Sequence, residues 1–199
     1  MDKHEWDERY RSKGKLWSGE ANGPLVDEIA GMTPGRVLEA GCGEGGDSVW
    51  LARQGWRVTA IDISQVAIDR AIAATKDDEA LSSRITWMQG DLAEVAPDAG
   101  AYDLVTAHYF PLRRDPGDPG ARNLLAAVAP GGTLLWAGHD MTDDPEHAER
   151  WAECYSPSDV ADLLDDDWIV EANETRGRTR PAPEGSHHVK DVVLRARRR

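Results

Sequence analysis

The stretch that decides the fold is Arg36-Val37-Leu38-Glu39-Ala40-Gly41-Cys42-Gly43-Glu44-Gly45-Gly46. Five residues of strand type run straight into a side-chain-poor bend. Asp47 to Gln54 then reads as a helix with Val49, Trp50 and Leu51 inward, closed by Gly55. Glycines are needed where backbone must bend sharply or meet a ligand, because a Cβ would block the approach or forbid the dihedrals. The helix that follows such a bend offers free N–H groups to an anion.

Working outward, the same alternation repeats. Trp56 to Ile61 reads as a second strand, and Ser64 is placed to cap a helix carrying Val66, Ala67, Ile68, Ala71 and Ile72. Ile85 to Met88 reads as a third strand and Tyr102 to Ala107 as a fourth. A helix with Leu124, Leu125 and Val128 ends at Pro130-Gly131-Gly132, before a fifth strand over Thr133 to Ala137. Ser156-Pro157-Ser158-Asp159 opens a helix through Leu164, and Trp168 to Ala172 and Val189 to Ala196 read as closing strands. Alternating strands and helices imply a mostly parallel sheet, whereas the last two strands lack an intervening helix, so one of them runs antiparallel. Upstream, Trp6 to Tyr10 reads as a short helix and Leu25, Val26, Ile29 and Ala30 as a second one behind Pro24, stopped by Gly31 and Pro34. Pro111 to Gly120 reads as a mobile loop.

The bulk properties narrow the function. The 199 residues allow one substantial core, and the formal net charge is −13. A chain this acidic is poorly suited to grip a phosphate backbone. Its one basic cluster, Arg195, Arg197, Arg198 and Arg199, reads as a solvated tail after the last strand. Cys42 and Cys154 form neither a metal-type pair nor a disulfide framework, which fits a reducing cytosol. Met1 to Trp6 lacks the apolar stretch of a signal peptide, and no run approaches a membrane span. A cytoplasmic location is the expectation.

Carboxylates recur at strand ends. Glu39 precedes the first glycine and can orient a ligand ammonium group through water. Asp62, at the tip of the second strand, can accept both ribose hydroxyls of a nucleotide, and Ile63 can cover one face of an adenine. Gly90-Asp91 follows the third strand, with Leu92 next, and Asp91 can accept from an adenine amino group. The alternative for Asp91 is an ordinary helix cap. Gly41, Gly43 and Gly46 also satisfy the dinucleotide fingerprint, and NAD enzymes use a second-strand acid too. Two alternatives therefore stand: an NAD(P)-dependent oxidoreductase, although Tyr102 and Tyr109 lack a Lys at Tyr-x-x-x-Lys spacing, and a non-catalytic binding module.

The joint pattern of Glu39 to Gly45, Asp62, Gly90-Asp91 and Pro130-Gly131-Gly132 resembles the class I S-adenosylmethionine (SAM)-dependent methyltransferases over about residues 36–138. The resemblance implies a Rossmann-like α/β fold with a seven-stranded sheet ordered 3-2-1-4-5-7-6, helices on both faces and the last strand antiparallel. It implies SAM as cofactor, S-adenosylhomocysteine as product, and contacts from Trp17, Glu39, Gly41, Cys42, Gly43, Asp62, Ile63, Asp91, Leu92 and His108. Trp6-Asp7-Glu8-Arg9-Tyr10, Trp17, Cys42 to Asp47, Trp50-Leu51-Ala52 and Gly55 are similar to small bacterial enzymes of the tellurite-resistance and thiopurine S-methyltransferase group. That likeness implies methylation of soft or small nucleophiles and an N-terminal segment (1–34) that closes over a core (35–199), all one domain. It makes Trp17 a candidate lid contact, with simple packing on the domain as the alternative.

Acceptor-side residues are expected beyond the fourth and fifth strands. That nominates His108 and Tyr109, then His139 and Asp140. His108 and His139 are the candidate bases, since an imidazole titrates near neutrality. Tyr109, His139 and Arg178 are the candidate substrate contacts. Arg176, Arg178 and Arg180 alternate and can clamp an anion if extended, although a solvated hairpin arm is the favoured reading. Adjacent His187 and His188 would point to opposite faces, which argues against a metal shared with Asp191, so no metal is expected. Trp50, Trp87 and Trp136 read as core residues, with Trp6 and Trp17 nearer a pocket. The expected partner is a small-molecule substrate, with no nucleic acid and no membrane, in a monomer or homodimer.

Overall fold

The computed structural model describes residues 1–142, 144–179 and 189–199, apart from the side chain of His147. In chain order the elements are α1 (Lys3–Arg11), α2 (Gly23–Glu28), β1 (Arg36–Ala40), α3 (Gly46–Arg53), β2 (Arg57–Asp62), α4 (Gln65–Thr75), α5 (Glu79–Ser82) and β3 (Ile85–Gln89). There follow β4 (Tyr102–His108), α6 (Pro119–Ala127), β5 (Val128–His139), α7 (Pro145–Arg150), α8 (Pro157–Ala161), β6 (Trp168–Gly177) and β7 (Lys190–Arg198). The seven strands form one sheet ordered β3-β2-β1-β4-β5-β7-β6. The first five pair in parallel, and β7 runs antiparallel to both β5 and β6. This is the order and sense that the resemblance implied.

Adjacent residues of the central strands point to opposite faces, and both faces are apolar. Leu38, Val105, Leu134 and Leu194 pack on one side beneath Leu124 of α6 and Val160 of α8. Their neighbours Val37, Leu104, Leu135 and Val193 pack on the other, beneath Leu25 of α2, Leu51 of α3 and Ile68 of α4. The sheet is therefore the middle layer of three. Because chain order reverses about β1, its carboxyl end and that of β4 flank the crevice where open α/β sheets bind ligands.

Several sequence expectations are corrected. The helix before β5 ends at Ala127, and Val128 is already strand, paired with Tyr102. The Pro130-Gly131-Gly132 bend sits inside β5, where the register with β4 shifts between Tyr102 and Leu104. A Cβ on Gly132 would stand 2.9 Å from the Tyr102 carbonyl oxygen, so close strand approach excludes a side chain. The basic cluster is not a tail: Arg195, Arg197 and Arg198 lie in β7. A bulge between Val170 and Ala172 lets Glu171 receive Arg195 at 2.9 Å and Arg197 at 3.2 Å, while Arg198 donates to the Val128 carbonyl. These cations are spent on internal pairing. The loop at 111–120 is tied at both ends: Arg113 bridges to Cys154, and the Tyr155 hydroxyl donates to Asp118. Trp50 and Trp87 are only partly buried, and the deepest indoles are Trp136 and Trp56, each 1% exposed.

Trp56→Ala is expected to destabilise the fold by about 3–5 kcal/mol, because its fully buried ring cannot be replaced by collapse. Arg197→Ala, at a half-exposed ion pair, should cost no more than about 1 kcal/mol. Urea denaturation of both variants checks the contrast.

Candidate active site at the carboxyl ends of the central strands

The bend after β1 is built from left-handed backbone: Gly41, Gly43 and Gly45 have φ of 70°, 53° and 85°. A Cβ on Gly41 would collide with the Phe110 ring, and one on Gly45 would lie 2.6 Å from the Trp87 ring. Only glycine meets both demands. The loop is then tied to β2. The Ile61 carbonyl accepts from the amides of Gly41 (2.8 Å) and Cys42 (3.1 Å), and Asp62 Oδ2 accepts from the amide of Gly43 at 2.8 Å. Asp62 Oδ1 takes the Ser64 amide at 2.8 Å. Asp62 is 8% exposed; burial pushes its carboxyl up, against the two amide donors and with the charge of Asp7. The expected nucleotide acid and glycine loop are thus one hydrogen-bonded unit.

The neighbouring residues fall as follows. Asp91 lies just past the end of β3, beside β2, and its Oδ1 accepts from the Ala93 amide at 2.8 Å, which is the capping geometry weighed above. Ile63 is half-buried, and its carbonyl accepts from Gln89 Nε2. Leu92 is 3% exposed in the core, and Cys42 packs in the core on the opposite face. Burial, then the charges of Glu39 and Asp62, push the Cys42 thiol well up, so it is a neutral packing group.

Behind the loop lies a dry carboxylate pair. Glu39 accepts from the Ser48 hydroxyl, so it faces α3. Asp47, in the first turn of α3, accepts from the backbone and side chain of Asn22 at 2.7 and 2.9 Å. Its Oδ2 stands 3.3 Å from Nδ1 of His108, with side-chain exposures of 4% and 2%. Burial works against ionisation of Asp47, but the His108 contact and the Asn22 donors outweigh it and hold its carboxyl below the usual range. Glu39 moves the other way: burial, then the charge of Asp47, raise it well above the usual value.

A second cluster forms where β4, β5 and β7 end or begin. Tyr109 adopts φ 52°, rare for a bulky residue, and its amide donates to the Ala137 carbonyl. Its ring stacks on His139 at 4.3 Å, and the Arg178 guanidinium lies 5.4 Å from the same ring. Asp191, opposite His139 in the β5–β7 register, stands 3.9 Å from His139 Nδ1 and 3.7 Å from Arg178 Nη1. Burial, then the charge of Asp191, push the Tyr109 phenol up. The three nominated acceptor-side residues therefore converge, and they do so on Asp191, which the sequence reading had weighed only as a metal ligand. Its period-2 phase with buried Val193 was the available signal. Arg178 is only 13% exposed and Arg176 pairs with Glu28 and Glu174, so this stretch is no solvated arm. Arg180, His187 and His188 lie outside the described residues. Asp140 turns onto Thr142 instead of the cluster. Among the described residues, no group of three or more His, Cys, Asp or Glu is placed to hold a metal ion.

The N-terminal segment roofs the loop. Trp17 Nε1 donates to the Tyr10 hydroxyl at 2.9 Å, and both groups lie within about 3.2 Å of where a Cβ on Gly43 would stand. Glu44 Oε2 accepts from the amides of Leu16 and Trp17, while Arg70 joins Glu44 Oε1 to the carbonyls of Tyr10 and Lys13. Tyr10, Glu44 and Arg70 are additions to the residues named from sequence; their partners lie 26–60 positions away, beyond any local pattern.

The raised Glu39 predicts a sign. A carboxyl whose folded value lies above its unfolded one holds a proton in the folded state, so stability falls as pH rises past its ordinary value near 4.5. Asp47, with a lowered value, acts oppositely and only in more acid solution. Glu39→Gln is expected to flatten the decline in urea midpoint between about pH 5 and about pH 8. An unchanged slope would show Glu39 to be ionised throughout.

Comparison with known proteins agrees with this geometry. Residues 37–132 match the family described as "Methyltransferase domain". The chain is 38% identical over 133 residues to ribosomal RNA small subunit methyltransferase C of Alcanivorax borkumensis, covering 63% of this chain and 38% of that protein. It is 25% identical over 185 residues to the probable S-adenosyl-L-methionine-dependent methyltransferase TehB of Haemophilus influenzae, covering 92% of this chain and 63% of that one. The chain thus spans between about a third and two thirds of the length of the curated relatives it matches. In fold it is similar to the N-methyltransferase NodS of Bradyrhizobium japonicum, solved with S-adenosyl-L-homocysteine (TM-score 0.73, 19% identity, 100% and 99% of the two chains). A glycine bend tied to a strand-end acid, on a sheet in which β7 runs antiparallel, is what this chain shares with the class I SAM-dependent methyltransferases, and residues 37–132 match a methyltransferase domain.

Proposed function

We propose that this chain transfers the methyl group of SAM to a small molecule, and that the acceptor atom is a soft nucleophile such as a thiol or a metalloid oxyanion. The observation that carries this reading is the burial of the acceptor side. The side chains of His108, Asp191 and Arg178 are 2%, 3% and 13% exposed, so only a slender group reaches them. A polynucleotide acceptor, as the name of the Alcanivorax relative suggests, is disfavoured by the formal charge of −13 and by the internal pairing of the β7 arginines.

The residues present fit the cofactor. Asp62 keeps lone pairs for ribose hydroxyls beyond its two amide partners, and Phe110, Tyr10 and Trp17 are the side chains that cover Gly41 and Gly43. Asp91 and Ile63 border the adenine position, Trp17 covers the loop, and Glu39 lies behind it toward the amino group. When bound, the cofactor would supply an electrophilic methyl carbon on a positively charged sulfur.

The chain's own groups position and deprotonate. Asp47 stands 3.3 Å from Nδ1 of His108 and orients the ring, so the other nitrogen is the group offered to an acceptor proton. His139, stacked on Tyr109 with Asp191 at 3.9 Å from its Nδ1, is the second histidine available as a base. Arg178 offers its charge over Tyr109 to an anionic group. A thiol of ordinary acidity needs little help, whereas a phenol or alcohol needs the base.

A panel of thiols, phenols and oxyanions with tritiated SAM tests the reading, and thiol or oxyanion products are expected to dominate. Label entering only amines or alcohols would overturn it. His108→Gln should lower kcat on a phenol by about 100-fold or more and on a thiol far less. Asp62→Ala is expected to weaken S-adenosylhomocysteine binding by about 10- to 100-fold in calorimetry. Unchanged affinity would place the ribose elsewhere.

A further inference from the structure

A cavity of about 310 Å³ lies between α1, the loop after β4 and the segment after α7. That is the size range of small-molecule sites. Arg9, Arg113 and Arg150 line it, together with Trp151 and Cys154, and Glu153 is its one lining carboxylate. Glu153 pairs with Arg113 at 3.5 Å, in an exposed contact of little strength. Arg9 lies over the rings of Trp6 and Trp17, at 5.2 and 5.8 Å. Among the described residues, neither Arg9 nor Arg150 has a carboxylate partner. Three cations against one anion is a local surplus of positive charge in a chain whose formal charge is −13.

The cavity borders the site already described. Arg9 touches Trp17, whose indole lies on Gly43. Arg113 follows Phe110 by three residues, and the Phe110 ring covers Gly41. The bridge between Arg113 and Cys154 carries the segment bearing Trp151 across the loop after β4. The two segments that cover the glycine loop, the N-terminal one and the loop after β4, therefore also wall the cavity.

We propose that this cavity receives the charged end of the methyl acceptor, and that the acceptor is a small flat organic anion, an aromatic carboxylate or phosphate monoester. Guanidinium forks match both oxyanions, and Trp151 adds apolar lining beside them. The inference refines the small-molecule reading above and rests on it for the word acceptor, but the cavity's preference for anions stands on its own residues.

The test uses Arg113→Met/Arg150→Met, which leaves the glycine loop, both histidine clusters and Arg9 intact. Calorimetry on protein loaded with S-adenosylhomocysteine compares benzoate, phenyl phosphate and benzyl alcohol. The expected result is binding of one or both anions and not of the alcohol, at least tenfold weaker in the double variant and weaker at high salt. Benzoate against phenyl phosphate distinguishes the two headgroups. A kinetic arm compares 2-mercaptobenzoate with thiophenol: the anionic thiol should show a KM at least tenfold lower, and only that advantage should vanish in the variant. Failure of both anions to bind, or equal binding by wild type and variant, overturns the cavity. Anion binding lost in the variant without turnover of any thiol supports the cavity and overturns the thiol reading instead.

Discussion

The interaction on which the site depends is the seizure of three consecutive loop amides by two consecutive residues of β2. Ile61 takes the amides of Gly41 and Cys42 through one carbonyl, and Asp62 takes that of Gly43 through its carboxylate. A bend without side chains has no packing of its own to hold it, so hydrogen bonds must fix it. Because the β1–β2 register pairs Ala40 with Ile61, the bend leaves the sheet at the level where those acceptors stand. Parallel pairing thus places the nucleotide acid against the loop, and neither element is positioned without the other.

The loop in turn organises the roof. Glu44, within the bend, takes the amides of Leu16 and Trp17 and anchors Arg70, which holds two more carbonyls of the N-terminal segment. Asp7 reaches across to Ser64, the cap of α4, at 2.6 Å. Trp17 remains 45% exposed even so. The cover is held through the contacts around Glu44 and Arg70 and through the buried Tyr10 ring, 2% exposed, with Trp17 as its exposed edge.

Much of this was legible in sequence because it follows from short-range chemistry. The glycines announce the bend, and apolar runs bounded by turn residues announce buried parallel strands, so Glu39, Asp62 and Asp91 are found by counting to strand ends. What was not legible depends on register across the sheet. Asp191 meets His139 only because β7 runs antiparallel to β5 with those residues opposed, and Arg178 joins them from beyond β6. The same cause misled the reading of the C-terminal arginines: a bulge that presents Glu171 to two β7 residues is invisible in the linear chain. Asp47 was hidden for a different reason, since its partner His108 lies at the end of another strand.

The charges around the crevice are segregated in a way that bears on the chemistry. On the loop side stand Glu39, Asp47 and Asp62, and the upward displacement of Glu39 and Asp62 marks a region too dry and too negative for its acids. A cationic ligand relieves that strain. On the other side stand Arg178, paired with the buried Asp191, and, farther along the surface, Arg9, Arg113 and Arg150 with Glu153 among them. Methyl transfer from a sulfonium to an anion converts two charged reactants into neutral ones, and such a reaction is favoured wherever water is excluded, because the reactants lose more solvation than the transition state does. Methylation of an amine, by contrast, leaves the positive charge in place.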